Sequence, residues 1–293
     1  MSTTLLVDGN AVAYTINLDD CHDEKDFARK FFSRLREYSK QFTSMVKCVL
    51  FFDDKNGTWR DKIYPDYQKD RKAQRKKYTE AQRDEANKRT SYLIYLESLI
   101  DKSKFDRISY PHTETDDMIA LYCKNIQEDG ENCVILTTDK DLFQLICDSG
   151  KKKVHVLFLI KRKLIKDEKE GKDILERKIM LGDPSDSIPS VCQGVGPKYY
   201  PDFKLFLKTM KENKVDPTNK EEAKKICESL GVKYINSFSN FNQEQLIVNS
   251  LLVNLNTVIK NDEKDGNIKT KFIKDRLKTA KISPYSLYNI KVD

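Results

Sequence analysis

Nine carboxylates carry the chemistry that this sequence suggests: Asp8, Asp53, Glu114, Asp116, Asp117, Asp139, Asp141, Asp183 and Asp186. They fall just past expected strands, or at the mouths of the helices that follow. The apolar runs in front of them include Leu5-Leu6-Val7, Cys48-Val49-Leu50-Phe51-Phe52 and Cys133-Val134-Ile135-Leu136. In an open parallel sheet, ligands collect at the carboxyl ends of the strands. Carboxylates gathered there repel one another unless cations hold them. Hard divalent ions such as Mg²⁺ or Mn²⁺ take oxygen ligands. Two such ions, about 4 Å apart, would stabilise both the attacking and the leaving oxygen of a phosphodiester.

Each carboxylate pair has a plainer reading beside it. Thr137-Thr138-Asp139-Lys140-Asp141 follows a hydrophobic strand directly. One Asp there is explained by capping the next helix, worth about 1 kcal/mol. Two, with further carboxylates nearby in the topology, favour a metal. Glu114-Thr115-Asp116-Asp117 opens another helix. Residues three apart share a helix face, so Glu114 and Asp117 are expected to converge while Asp116 points elsewhere. No Ser/His/Asp or Cys/His arrangement competes. His22, His112 and His155 lack metal-ligand spacing, so no zinc site is expected.

A second group of residues suits a polyanion. Lys69–Lys77 holds six cations and one anion, with Tyr64, Tyr67 and Tyr78 around it. Cations follow a phosphate backbone and aromatics stack on bases. A solvated helix face is the bland alternative. Gly182-Asp183-Pro184-Ser185-Asp186-Ser187-Ile188-Pro189-Ser190-Val191 precedes Gly194-Val195-Gly196-Pro197-Lys198. The latter piece has the form of a helix–hairpin–helix turn. Its glycines let backbone amides approach a phosphate, and Lys198 adds charge.

The elements that must position these groups alternate. Strands are expected over Thr3–Val7, Lys47–Phe52, Arg107–Tyr110, Cys133–Thr137 and Val154–Ile160. Helices are expected over Asp26–Phe42, Ala81–Lys102, Thr115–Asp129 and from Asp141 to Ile146. Phe27, Phe31, Leu35 and Tyr38 form one stripe. Met118, Ile119, Leu121, Tyr122 and Ile126 leave their helix apolar nearly all round, so it should be covered on several sides. This alternation specifies an α/β fold with a parallel sheet. The long, apolar-poor stretch Lys55–Lys88 breaks the rhythm, as functional connections do. After about Lys151 the texture turns helical: Lys172–Leu181, Pro201–Lys211, Glu221–Leu230, Gln243–Asn254 and a helix around Thr270–Ala280. The expected division is a catalytic domain over 1–165, with an arch at about 55–90, and a DNA-binding and C-terminal helical domain over 166–293.

At 293 residues the chain can bury a sizeable core in one large domain or two lobes. Its formal net charge is +7. A basic chain around an acidic site suits a polyanionic substrate reached through cations. The seven cysteines form no C-x-x-C pair, which argues for reduced thiols in a cytoplasm-like compartment. No stretch reaches the roughly 18 apolar residues of a membrane span, and no signal peptide is visible.

Taken in order, the pieces resemble the 5′-nuclease superfamily of flap endonucleases and 5′–3′ exonucleases. The likeness rests on Val7-Asp8-Gly9-Asn10; Phe52-Asp53 with Arg60; Tyr67-x-x-x-Arg71; Glu114-x-Asp116-Asp117; Thr138-Asp139-x-Asp141; and Gly182-Asp183-x-x-Asp186 before the Gly194–Lys198 turn. Trp59-Arg60 and the lysine-rich arch bring it nearest to the phage ribonuclease H of T-even type. The resemblance implies a PIN-like core, a helical arch and a helix-3-turn-helix that grips duplex DNA around a K⁺. It also implies two catalytic Mg²⁺, or Mn²⁺ in their place. Asp8, Asp53, Glu114 and Asp116 map to the first metal; Asp139, Asp141 and Asp183 map to the second. Asp117 and Asp186 map to outer-shell positions. In relatives a lysine follows the arch tyrosine. Here Gln68 stands there, leaving Lys69 or Arg71 to contact the scissile phosphate. Arg60, Tyr67, Lys72, Gly194, Val195, Gly196 and Lys198 map to DNA binding. Tyr199-Tyr200-Pro201 replaces small residues, so the helix after the turn is expected to be short. The implied substrates are DNA and RNA–DNA duplexes with 5′ ends or flaps, cut by a monomer during replication. The implied protein partners are a single-strand binding protein or a sliding clamp, and the implied setting is the cytoplasm, a host's if the chain is phage-encoded.

Overall fold

The computed structural model describes residues 3–42, 45–103, 105–148, 150–215, 219–230 and 240–277. The chain forms two compact units, each made of separated segments. The first combines Met1–Trp59, Tyr78–Lys172 and Leu255–Asp293; the second combines Arg60–Lys77 and Asp173–Asn254. The expected split near residue 165 differs from this at two places. The middle of the arch groups with the later helices, and the segment after Leu255 groups with the sheet.

The first unit is built on a six-stranded sheet in the order β3-β2-β1-β4-β5-β6. The strands are β1 (Thr3–Asp8), β2 (Met45–Phe51), β3 (Asp106–Ile108), β4 (Asn132–Thr137), β5 (Lys153–Phe158) and β6 (Lys163–Ile165). All neighbours are parallel except β5 and β6, which form an antiparallel pair that the sequence reading did not foresee. β1 pairs with β2 on one side and β4 on the other, with Val7 opposite both Leu50 and Leu136. The chain order therefore reverses at β1, and the crevice beyond its carboxyl end is the place such sheets reserve for ligands. Asp8 ends β1, while Asp53 and Asp139 each follow their strand by two residues.

Helices cover both faces. Glu24–Ser39 starts at Asp23, whose side chain accepts from the Asp26 amide, and buries Phe27, Phe31, Leu35 and Tyr38. Glu80–Asp101 starts in a reciprocal cap between Thr79 and Gln82 and buries Tyr92, Leu96 and Ile100. Both pack into one core with Leu5, Val7, Leu50 and Phe52. Thr115–Leu121 is buried at every position except Asp116, as its all-round apolar pattern anticipates. Helix Asn256–Lys264 packs on it, and Ile268–Arg276 packs on β3. The expected helix Thr115–Asp129 is shorter: it widens into a π-turn over Tyr122–Ile126 and stops at Gln127. Gln127 turns its side chain to the carbonyls of Glu131 and Lys153 instead. The stretch Asp141–Leu145 is a 3-10 turn, and the expected helix around Thr270–Ala280 ends at Arg276, its last positions lying outside the described residues.

The second unit is helical. Among the described residues its α-helices are the end of Glu168–Leu181, then Tyr200–Glu212, Lys220–Ser229 and Gln243–Val253, together with Arg60–Ile63 and Lys69–Lys76. The stretch 55–88, read from sequence as a break in the rhythm, is therefore largely helical. Helix Tyr200–Glu212 runs thirteen residues rather than being cut short. Pro201 sits in its first turn, where a missing N–H costs nothing. Val191, Cys192, Val195, Phe203, Phe206, Met210 and Cys227 form one core. Tyr67, Ile188, Leu252 and Val253 form another.

Candidate metal centre

Asp8 is the buried carboxylate at the end of β1. Only 8% exposed, it accepts from the Ala11 amide at 2.9 Å and from the Thr137 hydroxyl at 2.8 Å. It caps the short helix Gly9–Tyr14 while lying at the end of β1. Burial pushes its carboxyl from 3.8 up to about 7, and the charges of Asp53 and Asp139 push the same way. The two hydrogen bonds oppose that rise without cancelling it. At neutral pH, this arrangement holds its full negative charge only if positive charge is supplied.

Asp53 is exposed and follows β2. One oxygen accepts from the Asn10 carboxamide at 2.5 Å, and the other from the Thr115 amide at 2.8 Å, at the head of helix Thr115–Leu121. A helix start favours an anion. Gly9 lies between Asp8 and the Phe52 ring. A Cβ at Gly9 would meet the Phe52 ring at 2.4 Å, so a larger residue would force that buried ring, next to Asp53, to shift.

Glu114, Asp116 and Asp117 each place an oxygen within 4.8 Å of the others. Asp116 thus joins the group rather than pointing away, contrary to the helix-face expectation. Asp116 bends back so that one oxygen accepts from the Asp117 amide at 2.7 Å. Asp117 is fully buried and also does a capping job, reaching the Glu114 amide at 3.4 Å. It also accepts from the Trp59 indole N–H at 2.7 Å. Thr58 donates to Glu114 at 3.3 Å. Asp117 is therefore held by protein donors, which fits an outer position better than direct ligation.

Asp139 is exposed beyond β4, its amide held by the Thr137 hydroxyl at 2.9 Å. Its carboxylate accepts from the Asp141 amide at 2.8 Å, so it does serve the local turn. Its charge reaches Asp8 all the same. Among the described residues, the donor set of this crevice is carboxylate oxygen, with no histidine or cysteine in the ligand group. That composition fits a hard divalent ion such as Mg²⁺ or Mn²⁺.

In the second unit, Asp183 starts the turn Pro184–Asp186, accepting from the Ser185 amide at 2.9 Å and hydroxyl at 2.7 Å. Lys178 contacts its other oxygen at 2.6 Å. Burial works against the Asp183 charge, but Lys178 and Ser185 outweigh it and hold the carboxyl below its ordinary value. Asp186 goes the other way: burial and the Asp183 charge raise it, against Arg71 and Lys178. Arg71 reaches Asp186 at 3.2 Å. The Gln68 amide donates to the Asp186 carbonyl at 2.8 Å, and the Asp70 amide to the Ser187 hydroxyl at 2.9 Å. The basic helix Lys69–Lys76 is thereby tied to the Asp183–Asp186 turn. Lys69 pairs with Asp66 at 3.2 Å and Lys72 with Asp61 at 2.7 Å, both lysines remaining more than half exposed.

Three residues expected at a DNA surface are packed instead. Tyr67 is 4% exposed, against Ile188, Leu252 and Val253, so its ring offers no face to a base. Arg60 is 3% exposed and donates to the Leu252 carbonyl at 2.9 Å, a tie within the unit. Val195 is 5% exposed in the core, and its amide donates to Cys192. Gly194 adopts φ +81°, a conformation open to glycine. At Gly196 a Cβ would meet nothing within 4 Å, so packing does not demand the glycine there. Lys198 is exposed, its ammonium 5.7 Å from the Tyr199 ring centroid.

Sequence reading missed the groups that hold these carboxylates: Thr137 on Asp8, Thr115 on Asp53, Lys178 on Asp183. It placed Asn10 and Trp59 in motifs without a role. Only Lys178, five residues before Asp183, is near its partner in the chain; Asn10, Trp59, Thr115 and Thr137 meet theirs across the fold.

The chain is similar to known proteins in sequence and in fold. The family model for the 5′-3′ exonuclease N-terminal, resolvase-like domain matches residues 3–177. The thermostable DNA polymerase I of Thermus thermophilus is 27% identical over 71% of this chain and 24% of its own length. The 5′-3′ exonuclease of Buchnera aphidicola (Schizaphis graminum) is 26% identical over 50% of this chain and 48% of its own. The chain thus spans about a quarter of the polymerase and about half of that exonuclease. Zinc-bound T5 5′-exonuclease superposes with a TM-score of 0.73 at 20% identity, covering 94% of this chain and 99% of that one. A T5 flap endonuclease complex with DNA and metal ions gives 0.72 at 20% identity, covering 96% and 100%.

Proposed function

The chain belongs to the 5′-3′ exonuclease family, and from that premise we propose that it is a metal-dependent, structure-specific 5′ nuclease. Its task would be hydrolysis of phosphodiesters at 5′ ends and flaps, including RNA primers, during DNA replication. The observation that carries this reading is Asp8, buried at the sheet's switch point and pushed up to about 7 beside Asp53 and Asp139. A protein that only bound DNA would gain nothing from that repulsion.

Asp8, Asp53, Glu114 and Asp116 are the proposed ligands of one Mg²⁺ or Mn²⁺, and Asp139 and Asp141 those of another. When bound, the ions would supply charge stabilisation to the attacking and leaving oxygens. By motif order, Asp183 is a further proposed ligand, and Asp117 and Asp186 are outer carboxylates. Thr137, Asn10 and the Thr115 amide orient Asp8 and Asp53, as outer-shell partners of metal ligands do. Lys69 and Arg71 would neutralise the phosphate to be cut, while Lys72, Gly194, Gly196 and Lys198 would hold the duplex, with a K⁺ at the glycine turn. The free thiols support a reducing, cytoplasm-like setting.

A 5′-labelled flap and an RNA-primed duplex, each incubated with Mg²⁺ and with EDTA, test the reading. Cleavage is expected with Mg²⁺ alone. Asp139→Asn should abolish it while sparing DNA binding, since removing a negative charge cannot weaken contact with a polyanion. Full cleavage in EDTA, or by the variant, would refute the metal mechanism.

A further inference from the structure

Beside Trp59 the first unit carries a cavity of about 200 Å³, lined by Trp59, Val258, Asn261, Lys264, Asp265 and Lys269. None of the last five was assigned a role from sequence. The Trp59 ring is half-buried and fixed. Its N–H is bound to the fully buried Asp117 at 2.7 Å, and turning the ring away would strip that carboxylate of a donor. The ring is therefore a prepared flat wall. Among the described residues the Asn261 carboxamide has no hydrogen-bond partner, so it offers both a donor and an acceptor. Lys264 and Lys269 form no ion pair among those residues. Lys269 stands over the Tyr110 ring at 5.9 Å, and Tyr110 packs edge-on against Phe272 at 5.0 Å, which steadies the helix that carries the lysine. Two lysines face one aspartate here, leaving the cavity net positive.

We propose that this cavity binds a nucleotide of a single nucleic-acid strand. The base would stack on Trp59 and meet Asn261 at its edge, with the flanking phosphates on Lys264 and Lys269. The ligand class rests on the nuclease reading, but the pocket can be tested without cleavage. An acidic peptide would satisfy the lysines alone and would leave the aromatic wall and the carboxamide unused.

Trp59 is the single tryptophan of the chain, so the fluorescence signal comes from the wall of this pocket; because its N–H also bonds Asp117 of the carboxylate group, the lysine and Asn261 variants assign the change to the pocket. Titration with oligothymidylate in EDTA should quench it. In the Lys264→Ala/Lys269→Ala variant, affinity should fall about tenfold at low salt. The slope of log affinity against log salt should shrink by about 1.4, two phosphates at about 0.7 each on a single strand. Asn261→Ala, which leaves the charge unchanged, should weaken binding without changing that slope. Three results would overturn the proposal: no fluorescence change when anisotropy of a labelled strand shows binding, an unaltered slope in the lysine variant, or equal quenching by polyglutamate. Flap cleavage with a silent Trp59 would sink the pocket and leave the nuclease standing. Quenching without metal-dependent cleavage would do the reverse.

Discussion

Asp8 makes a prediction that does not depend on turnover. Its carboxyl is raised from 3.8 to about 7 chiefly by burial, with Asp53 and Asp139 adding to the rise. A raised acid holds its proton more tightly in the folded state than in the unfolded chain. Stability of the metal-free protein should therefore fall as pH climbs from about 4 to about 7, then level off. A rise of roughly three units corresponds to about 4 kcal/mol when complete. A divalent cation that binds the ionised group reverses this loss. Below about pH 7, binding must displace the Asp8 proton, so apparent affinity should climb nearly tenfold per pH unit and flatten above it. Thermal melts in EDTA and in Mg²⁺, run from about pH 5 to about pH 8, would show a Mg²⁺-induced rise in Tm that grows with pH. Asp8→Asn keeps an acceptor for the Ala11 amide and removes the charge. It should be more stable than wild type in EDTA near pH 8 and should lose the pH-dependent part of the Mg²⁺ response. A Mg²⁺ shift of equal size at both ends of the range, or an Asn variant less stable at high pH, would refute the electrostatic reasoning.

Other expectations are separable from this one. Replacing Lys69 and Arg71 together by Ala should lower turnover more than duplex affinity in single-turnover kinetics, because the role proposed for both is at the phosphate to be cut while the residues proposed to hold the duplex lie elsewhere. Lys198→Ala should weaken duplex binding equally on all sequences and reduce the salt slope by about 0.9, measured with Ca²⁺ to block cleavage; an unchanged slope would mean that the residue only solvates its turn. Tyr67→Ala should cost about 3–5 kcal/mol in denaturant melts, as emptying a core aromatic site does, whereas Tyr67→Phe should leave DNA affinity intact.

Much of the frame was legible along the chain. Apolar runs of three to five residues, each followed within three residues by an aspartate, located β1, β2 and β4 and the edge where Asp8, Asp53 and Asp139 lie. Period-four stripes located the helices Glu24–Ser39 and Glu80–Asp101. These are local signals, because a strand's burial and a helix's face are written in neighbouring residues. The arch was harder to read. Lys69–Lys77 looks alike whether helical and exposed or irregular, and nothing nearby says that Tyr67 turns into a core made with Leu252.

What only the tertiary structure decided is the electrostatic and packing state of each group. Asp8 and Asp183 are both aspartates after short motifs, yet burial beside other carboxylates raises the first while Lys178 lowers the second. Arg60 and Arg71 stand eleven residues apart in one basic stretch. Arg60 is shut in against the Leu252 carbonyl, and Arg71 remains partly exposed on Asp186. Composition and spacing establish which charges exist and which ends of strands they reach. Desolvation and Coulomb energy depend on distance and on excluded water, and for Asp8, Arg60 and Arg71 those are set by partners dozens to hundreds of residues away in the chain.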